Sequence, residues 1–233
     1  MQRSMRVNYD AIADRYDSTP HREKSADPEL IAFLAGREPA APLTSLDIAC
    51  GTGSQQIANR GLTPNAKFVG LDSSLGMLHQ ARRKMSDIVW VHGDSAALPF
   101  ASGSFDFVSC QYAFHHFRDK AGMLREAFRV LRRGGRFALY NMCPQESDDW
   151  LYYAYFPEAK TRDFADFWPP DAIVFGNDRY RFCRGRGGAA ACPPRARPGG
   201  AVVGGAVPRA EFPTAIVIRR GVCGRAAAHR ARP

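Results

Sequence analysis

A chain of 233 residues with 45% apolar content is long enough for one α/β domain with a buried core and too short for two of ordinary size. Its formal charge of +9 does not mark a nucleic-acid binder, because residues 1–182 carry 22 Lys and Arg against 22 Asp and Glu, and the excess lies in residues 183–233, where ten Arg face only Glu211. No apolar run approaches the roughly 18 residues of a membrane span and the N-terminus is too charged for a secretory signal, so a cytoplasmic protein without a nucleic-acid partner is expected.

Along the chain, an N-terminal segment is followed by short β-type runs at Ser45–Cys50, Lys67–Asp72, Ile88–His92, Phe105–Tyr112 and Arg136–Met142. Helical spacing fills the gaps: Leu75, Leu78, Ala81 and Met85 mark one face, and Leu124, Ala127, Phe128 and Leu131 another. The second of these helices is expected to end on Arg132-Arg133-Gly134-Gly135, with cations in the last turn and glycine beyond. Strand alternating with helix predicts a doubly wound, mostly parallel sheet with Rossmann-like topology and helices on both faces. From Asp148 to Phe182 aromatic residues crowd together, as core or as the lining of a substrate pocket, and Trp168-Pro169-Pro170-Asp171 reads as a helix entry.

Beyond Phe182 the texture of a folded domain stops. Gly, Ala, Pro and Arg make up 37 of the last 51 residues, too few large side chains to offset the entropy of ordering. The codons of these four residues begin with two G or C bases, which suggests an out-of-frame reading of a GC-rich gene. Residues 183–210 are expected to be irregular, with only Ala215–Arg220 keeping a strand-like pattern. Of the six cysteines, none forms a C-x-x-C pair and no Cys/His spacing suits zinc, so reduced thiols and no metal are expected.

The informative run is Leu46-Asp47-Ile48-Ala49-Cys50-Gly51-Thr52-Gly53. An apolar strand leads into a turn of small residues, with a helix starting near Ser54, as in a cofactor loop at the carboxyl end of a first strand. Glycine at 51 and 53 permits unusual φ values and a close ligand approach. Asp72 closes the second strand, where a carboxylate can accept from both hydroxyls of a ribose, and Asp94 closes the third, within reach of an adenine edge. An NAD(P) site would need a third glycine for helix–strand packing, and that position is Gln56. His115 and His116 follow the fourth strand; His115 is a candidate general base, with packing as the alternative and the expected outcome.

Together these motifs resemble the class I S-adenosylmethionine methyltransferases, in particular the small-molecule group of ubiquinone/menaquinone-biosynthesis type. The resemblance runs from Asn8-Tyr9-Asp10 to Met142 and includes LDIACGTG at 46–53, VGLDSSLGML at 69–78 and GDSAALPFASGSFDFV at 93–108. It implies S-adenosyl-L-methionine as cofactor, with Asp47, Ala49, Gly51 and Gly53 around its methionine part. Asp72 would hold the ribose, Ser73 and Met77 would lie beside the adenosine, and Asp94, Ser95 and Ala96 would face adenine. Gln111 would sit beside the methionine moiety, and Tyr16 would close over the site. Ala49 stands where the family often has glycine, and its small size implies little effect. Residues 1–182 then form the methyltransferase domain and residues 183–233 a tail. The family sheet ends with two further strands that the tail must supply; a chain unable to form them would be a non-catalytic, cofactor-binding remnant. The small-molecule acceptor and the oligomeric state are left open.

Overall fold

The structure is a computed structural model that describes residues 7–18, 22–38, 41–63, 65–146, 151–169, 173 and 215–220. Six strands, β1 (Leu43–Ile48), β2 (Ala66–Asp72), β3 (Val89–His92), β4 (Phe105–Gln111), β5 (Leu131–Asn141) and β6 (Ala215–Arg220), form one sheet in the order β3-β2-β1-β4-β5-β6. Every neighbouring pair is parallel. The order reverses between β1 and β4, so a crevice opens above the carboxyl ends of these strands, where open α/β sheets bind ligands.

Strand side chains alternate between two cores. On one face Leu46, Ile48, Val108, Cys110, Phe137 and Leu139 pack against Met123, Leu124, Ala127 and Val130 of α5 (Lys120–Val130). On the other, Phe68, Trp90, Phe107, Ala138 and Tyr140 pack against Leu30 and Phe33 of α2 (Pro28–Leu34) and Leu78 and Ala81 of α4 (Leu75–Lys84). Each of these helices starts on a side-chain cap: Asp27 accepts from the Glu29 and Leu30 amides, Ser74 from Met77, and Asp119 from Gly122. The short α3 (Ser54–Asn59) is fixed differently. Gln56, fully buried, donates from Nε2 to the Val69 carbonyl at 2.9 Å and so ties the helix to β2.

Two expectations are corrected. The helix ends at Val130, and Leu131–Gly135 belongs to β5, whose register against β4 shifts between Phe105 and Phe107. This irregularity lets Arg132 reach Asp106 at 2.8 Å and takes up Gly134 at φ 79°. Leu75 is 58% exposed rather than on the buried face, because the buried stripe of α4 runs through Met77, Leu78 and Ala81. The strand pattern at Ala215–Arg220 is realised as β6, with Ile216 opposite Phe137 and Ile218 opposite Leu139. Among the described residues it is the one strand that follows the aromatic segment. The expected irregular stretch 183–210, and the helix entry beyond Pro169, lie outside the described residues. Among the described residues no helix is long and apolar enough to cross a membrane.

The N-terminal segment, α1 (Tyr9–Ile12) continued by a tight helical turn over Ala13–Ser18, runs alongside α4. Asp10, Asp14 and Asp17 recur at helical spacing, and each holds a successive turn of α4 or the glycine loop. Asp10 accepts from Ser74 Oγ and the Gly76 amide, both at 2.7 Å. Asp14 accepts from Gln80 at 2.6 Å, and Asp17 from Thr52 at 2.6 Å and Lys84 at 2.8 Å. Gly76 permits this approach, since a Cβ there would lie 3.1 Å from the Asp10 Cα.

Candidate functional site

The carboxyl ends of β1, β2 and β3 enclose a cleft of about 230 Å³, lined by Ala49, Asp72, Ser73, Asp94, Ser95 and Ala96 together with His116–Asp119. Six of the residues singled out in the sequence therefore meet in one place. Gly51 joins them through its backbone, donating to Asp72 Oδ2 at 2.8 Å, while the Ser74 amide donates to Oδ1 at 2.8 Å. One carboxylate thus fixes both the glycine loop and the start of α4. The Ala96 amide closes a turn on Asp94 Oδ1 at 2.9 Å.

Asp47 lies below the loop, 2% exposed, with Ser109 donating to it at 2.7 Å. Burial pushes its carboxyl up to about 7, and the nearby Asp27 and Asp72 charges add to the rise while Lys24 opposes it. Burial also raises Asp72, against the pull of its backbone hydrogen bonds, and raises Asp27. The site therefore concentrates carboxylates that are short of counter-charge, an environment suited to a cationic ligand and hostile to an anionic one.

Other residues from the sequence reading take different places. Gln111 ends β4 and donates to Asp27 Oδ2 at 3.0 Å, while Tyr140 donates to Oδ1 at 2.5 Å. Met77 is fully buried in α4 and does not line the cleft. Tyr16 is half-buried in the N-terminal segment and does not line the cleft, its hydroxyl accepting from Arg22 at 2.8 Å. Gly53 has φ 76°, and a Cβ on it would overlap the six-membered ring of Trp90, whose indole also covers Gly70. Trp90, which the sequence reading did not single out, is thus the floor of the glycine loop.

Ala49 adopts φ 58°, and this corrects the expectation drawn from its size. A left-handed conformation costs an L-residue about 1–2 kcal/mol that glycine avoids. Ala49→Gly should therefore stabilise the fold by up to about 1 kcal/mol after the loss of unfolded-state restriction, read as a rise in Tm. Tyr112, at φ 55° and 41% exposed, is the second such residue, at the mouth of β4 with Lys24 4.9 Å from its ring centroid. Non-glycine residues held in this region collect at functional sites.

The two histidines part company. His115 stacks on Phe167 at 4.1 Å and lies 3.1 Å from Asn141 Oδ1 through Nδ1. Burial, reinforced by His116, lowers its pKa from 6.5 to about 4. His116 instead lines the cleft. Because the folded His115 resists a proton that the unfolded chain accepts, its contribution to stability is complete above about 6.5 and is lost as pH falls toward about 4. His115→Ala should cost about 1–3 kcal/mol in lost stacking and hydrogen bonding and flatten that acid limb in thermal melts, with cofactor affinity unchanged.

Residues 46–139, which hold most of this cleft, match the family model of a methyltransferase domain. Over that stretch the chain is similar to methyltransferases. A demethylmenaquinone methyltransferase of Renibacterium salmoninarum is 34% identical over 137 residues, covering 56% of this chain and 55% of the relative. That of Thermotoga maritima is 37% identical over 103 residues, covering 44% and 45%. The chain thus spans about half the length of these curated relatives. A solved structure from Anabaena variabilis, assigned to the methyltransferases of an antibiotic biosynthesis pathway, shares the fold with a TM-score of 0.51 at 23% identity, covering 61% of this chain and 56% of that one.

Proposed function

We propose that this chain transfers a methyl group from S-adenosylmethionine to an O, N or C nucleophile of a small-molecule acceptor. The carrying observation is that Asp72 and Asp94 line one cleft beside the glycine loop, with Asp47 buried below it, and that burial raises the carboxyls of Asp47 and Asp72. A donor that bears a sulfonium and an ammonium suits this charge, whereas the diphosphate of a dinucleotide does not. In this reading Asp47, Ala49, Gly51, Gly53 and Gln111 hold the methionine part of the donor, and Asp72 and Ser73 the nucleoside, with Met77 packed behind them in α4. Asp94, Ser95 and Ala96 hold the adenine, and Tyr16 covers the site. The donor supplies an electrophilic methyl group; the chain's own residues align the acceptor with it and exclude water. Residues 1–182 would form the domain that does this, with 183–233 a tail that lends it β6. The relatives' acceptor, demethylmenaquinone, makes a reduced quinone the first acceptor to try.

Calorimetric titration with S-adenosylhomocysteine tests the reading, with NADH as control. The homocysteine product should bind and NADH should not. Asp47 must be ionised to face the ligand's ammonium, and its free-state pKa is about 7. Affinity should therefore fall by up to about tenfold per pH unit below that value, with proton release on binding. Tight NADH binding without any response to the homocysteine product would overturn the proposal.

A further inference from the structure

We infer that Tyr9 and His116 form the pair that takes the acceptor's proton, brought together by docking of the N-terminal segment on α4. The inference rests on the methyl-transfer reading above. Tyr9 Oη lies 2.7 Å from His116 Nε2, with the rings edge-on at 5.5 Å between centroids. The residues are 107 positions apart, so the contact exists only because α1 is held in place. Asp10, next to Tyr9, supplies that hold through Ser74 and Gly76.

Several features set this pair apart from a packing contact. His116 lines the cleft, and Tyr9, which meets it there, is only partly buried and belongs to neither core. His115, by contrast, is turned onto Phe167 and Asn141. Among the groups near His116 are His115 at 3.8 Å, Tyr9 with Tyr16 behind it at 6.2 Å, and, lining the same cleft, Asp72, Arg118 and Asp119. His115 is kept neutral at ordinary pH, so a proton arriving on His116 meets no second imidazolium. Asp72 on the opposite wall carries a charge of the sign that favours it.

As the acceptor's lone pair bonds the methyl carbon, the carbon–sulfur pair returns to sulfur. The acceptor's proton passes to Tyr9 Oη while the Tyr9 proton passes to His116 Nε2. The positive charge of the sulfonium ends on the imidazolium, which releases its proton to water between turnovers.

The test uses the full chain as wild type, Tyr9→Phe and His116→Gln, with three readouts. These are S-adenosylhomocysteine affinity, the titration of His116 by NMR of labelled histidine, and methylation of dithionite-reduced demethylmenaquinone as the probe acceptor. Homocysteine-product affinity should stay near wild type. Tyr9→Phe should move the His116 titration by about half a unit or more and slow turnover about tenfold. His116→Gln should slow it about 10²-fold or more and remove one ionisation from the pH profile of kcat. Variants that turn over within about threefold of wild type with an unchanged profile would overturn the inference. If the wild type does not methylate the probe, the titration decides, and a His116 midpoint indifferent to Tyr9→Phe overturns it. Failure of the wild type to bind the homocysteine product counts against the methyl-transfer reading instead.

Discussion

Asp72→Ala should weaken S-adenosylhomocysteine binding by about 2–4 kcal/mol, a 30- to 700-fold loss in affinity. Two effects add. The carboxylate is proposed to accept from the ligand's ribose, at about 1.5–3 kcal/mol for each charged hydrogen bond less some solvent compensation. It also accepts the Gly51 and Ser74 amides, so its loss leaves two backbone donors unpaired and loosens the loop over the ligand. Asp72→Asn separates the effects, because an amide offers one acceptor oxygen and must turn an N–H toward one of the two donors. It should lie between alanine and wild type in calorimetry. An affinity unchanged by either substitution would show that Asp72 neither binds the ligand nor shapes the loop that does.

Gly53→Ala should destabilise the fold by about 2–4 kcal/mol. The left-handed backbone at φ 76° charges any L-residue about 1–2 kcal/mol, and overpacking against Trp90 adds about 1–3 kcal/mol, offset in part by a stiffer unfolded chain. For a chain of this size the melting temperature should drop by about 5–15 °C. The packing part can be isolated in a Trp90→Phe background, where the smaller ring leaves room for the new methyl while the φ cost persists. Gly53→Ala should then cost about 1 kcal/mol less than in wild type. Equal costs in both backgrounds would mean that the loop moves away from the indole, and that Gly53 is there for its backbone alone.

The strands, the parallel sheet and the acids at strand ends were legible in the sequence because each is a local pattern. The short apolar runs around Leu46-Asp47-Ile48 and Phe137-Ala138-Leu139 are buried on both faces, as central parallel strands are, and a strand that stops at Asp72 puts that side chain at the strand's carboxyl end whatever the rest of the chain does. The Ala215–Arg220 pattern could be read for the same reason. Gln56 was informative twice, first as a missing glycine and then as the side chain that pins α3 to β2.

What the sequence did not reveal depends on contacts between distant segments. The choice between His115 and His116 is set by Phe167 and Asn141 on one side and Tyr9 on the other; adjacent residues in a short turn point in different directions, and no spacing rule says which faces the cleft. Trp90 under Gly53, and Gln111 drawn to Asp27, are tertiary in the same sense. The Asp10, Asp14 and Asp17 ladder had a local signal in its helical spacing, but its partners on α4 lie more than 60 residues away. The start of β5 was misplaced because Arg132-Arg133-Gly134-Gly135 suits a helix end equally well, and only pairing with β4 and the Arg132–Asp106 contact decided for strand. By itself the sequence determined a parallel α/β sheet with a glycine loop ringed by acids, since backbone geometry and short-range patterning dictate both. Only the tertiary structure decided that burial raises the carboxyls of Asp47 and Asp72 and which aromatic and imidazole groups stand near them, because desolvation and side-chain contact are properties of the packed chain.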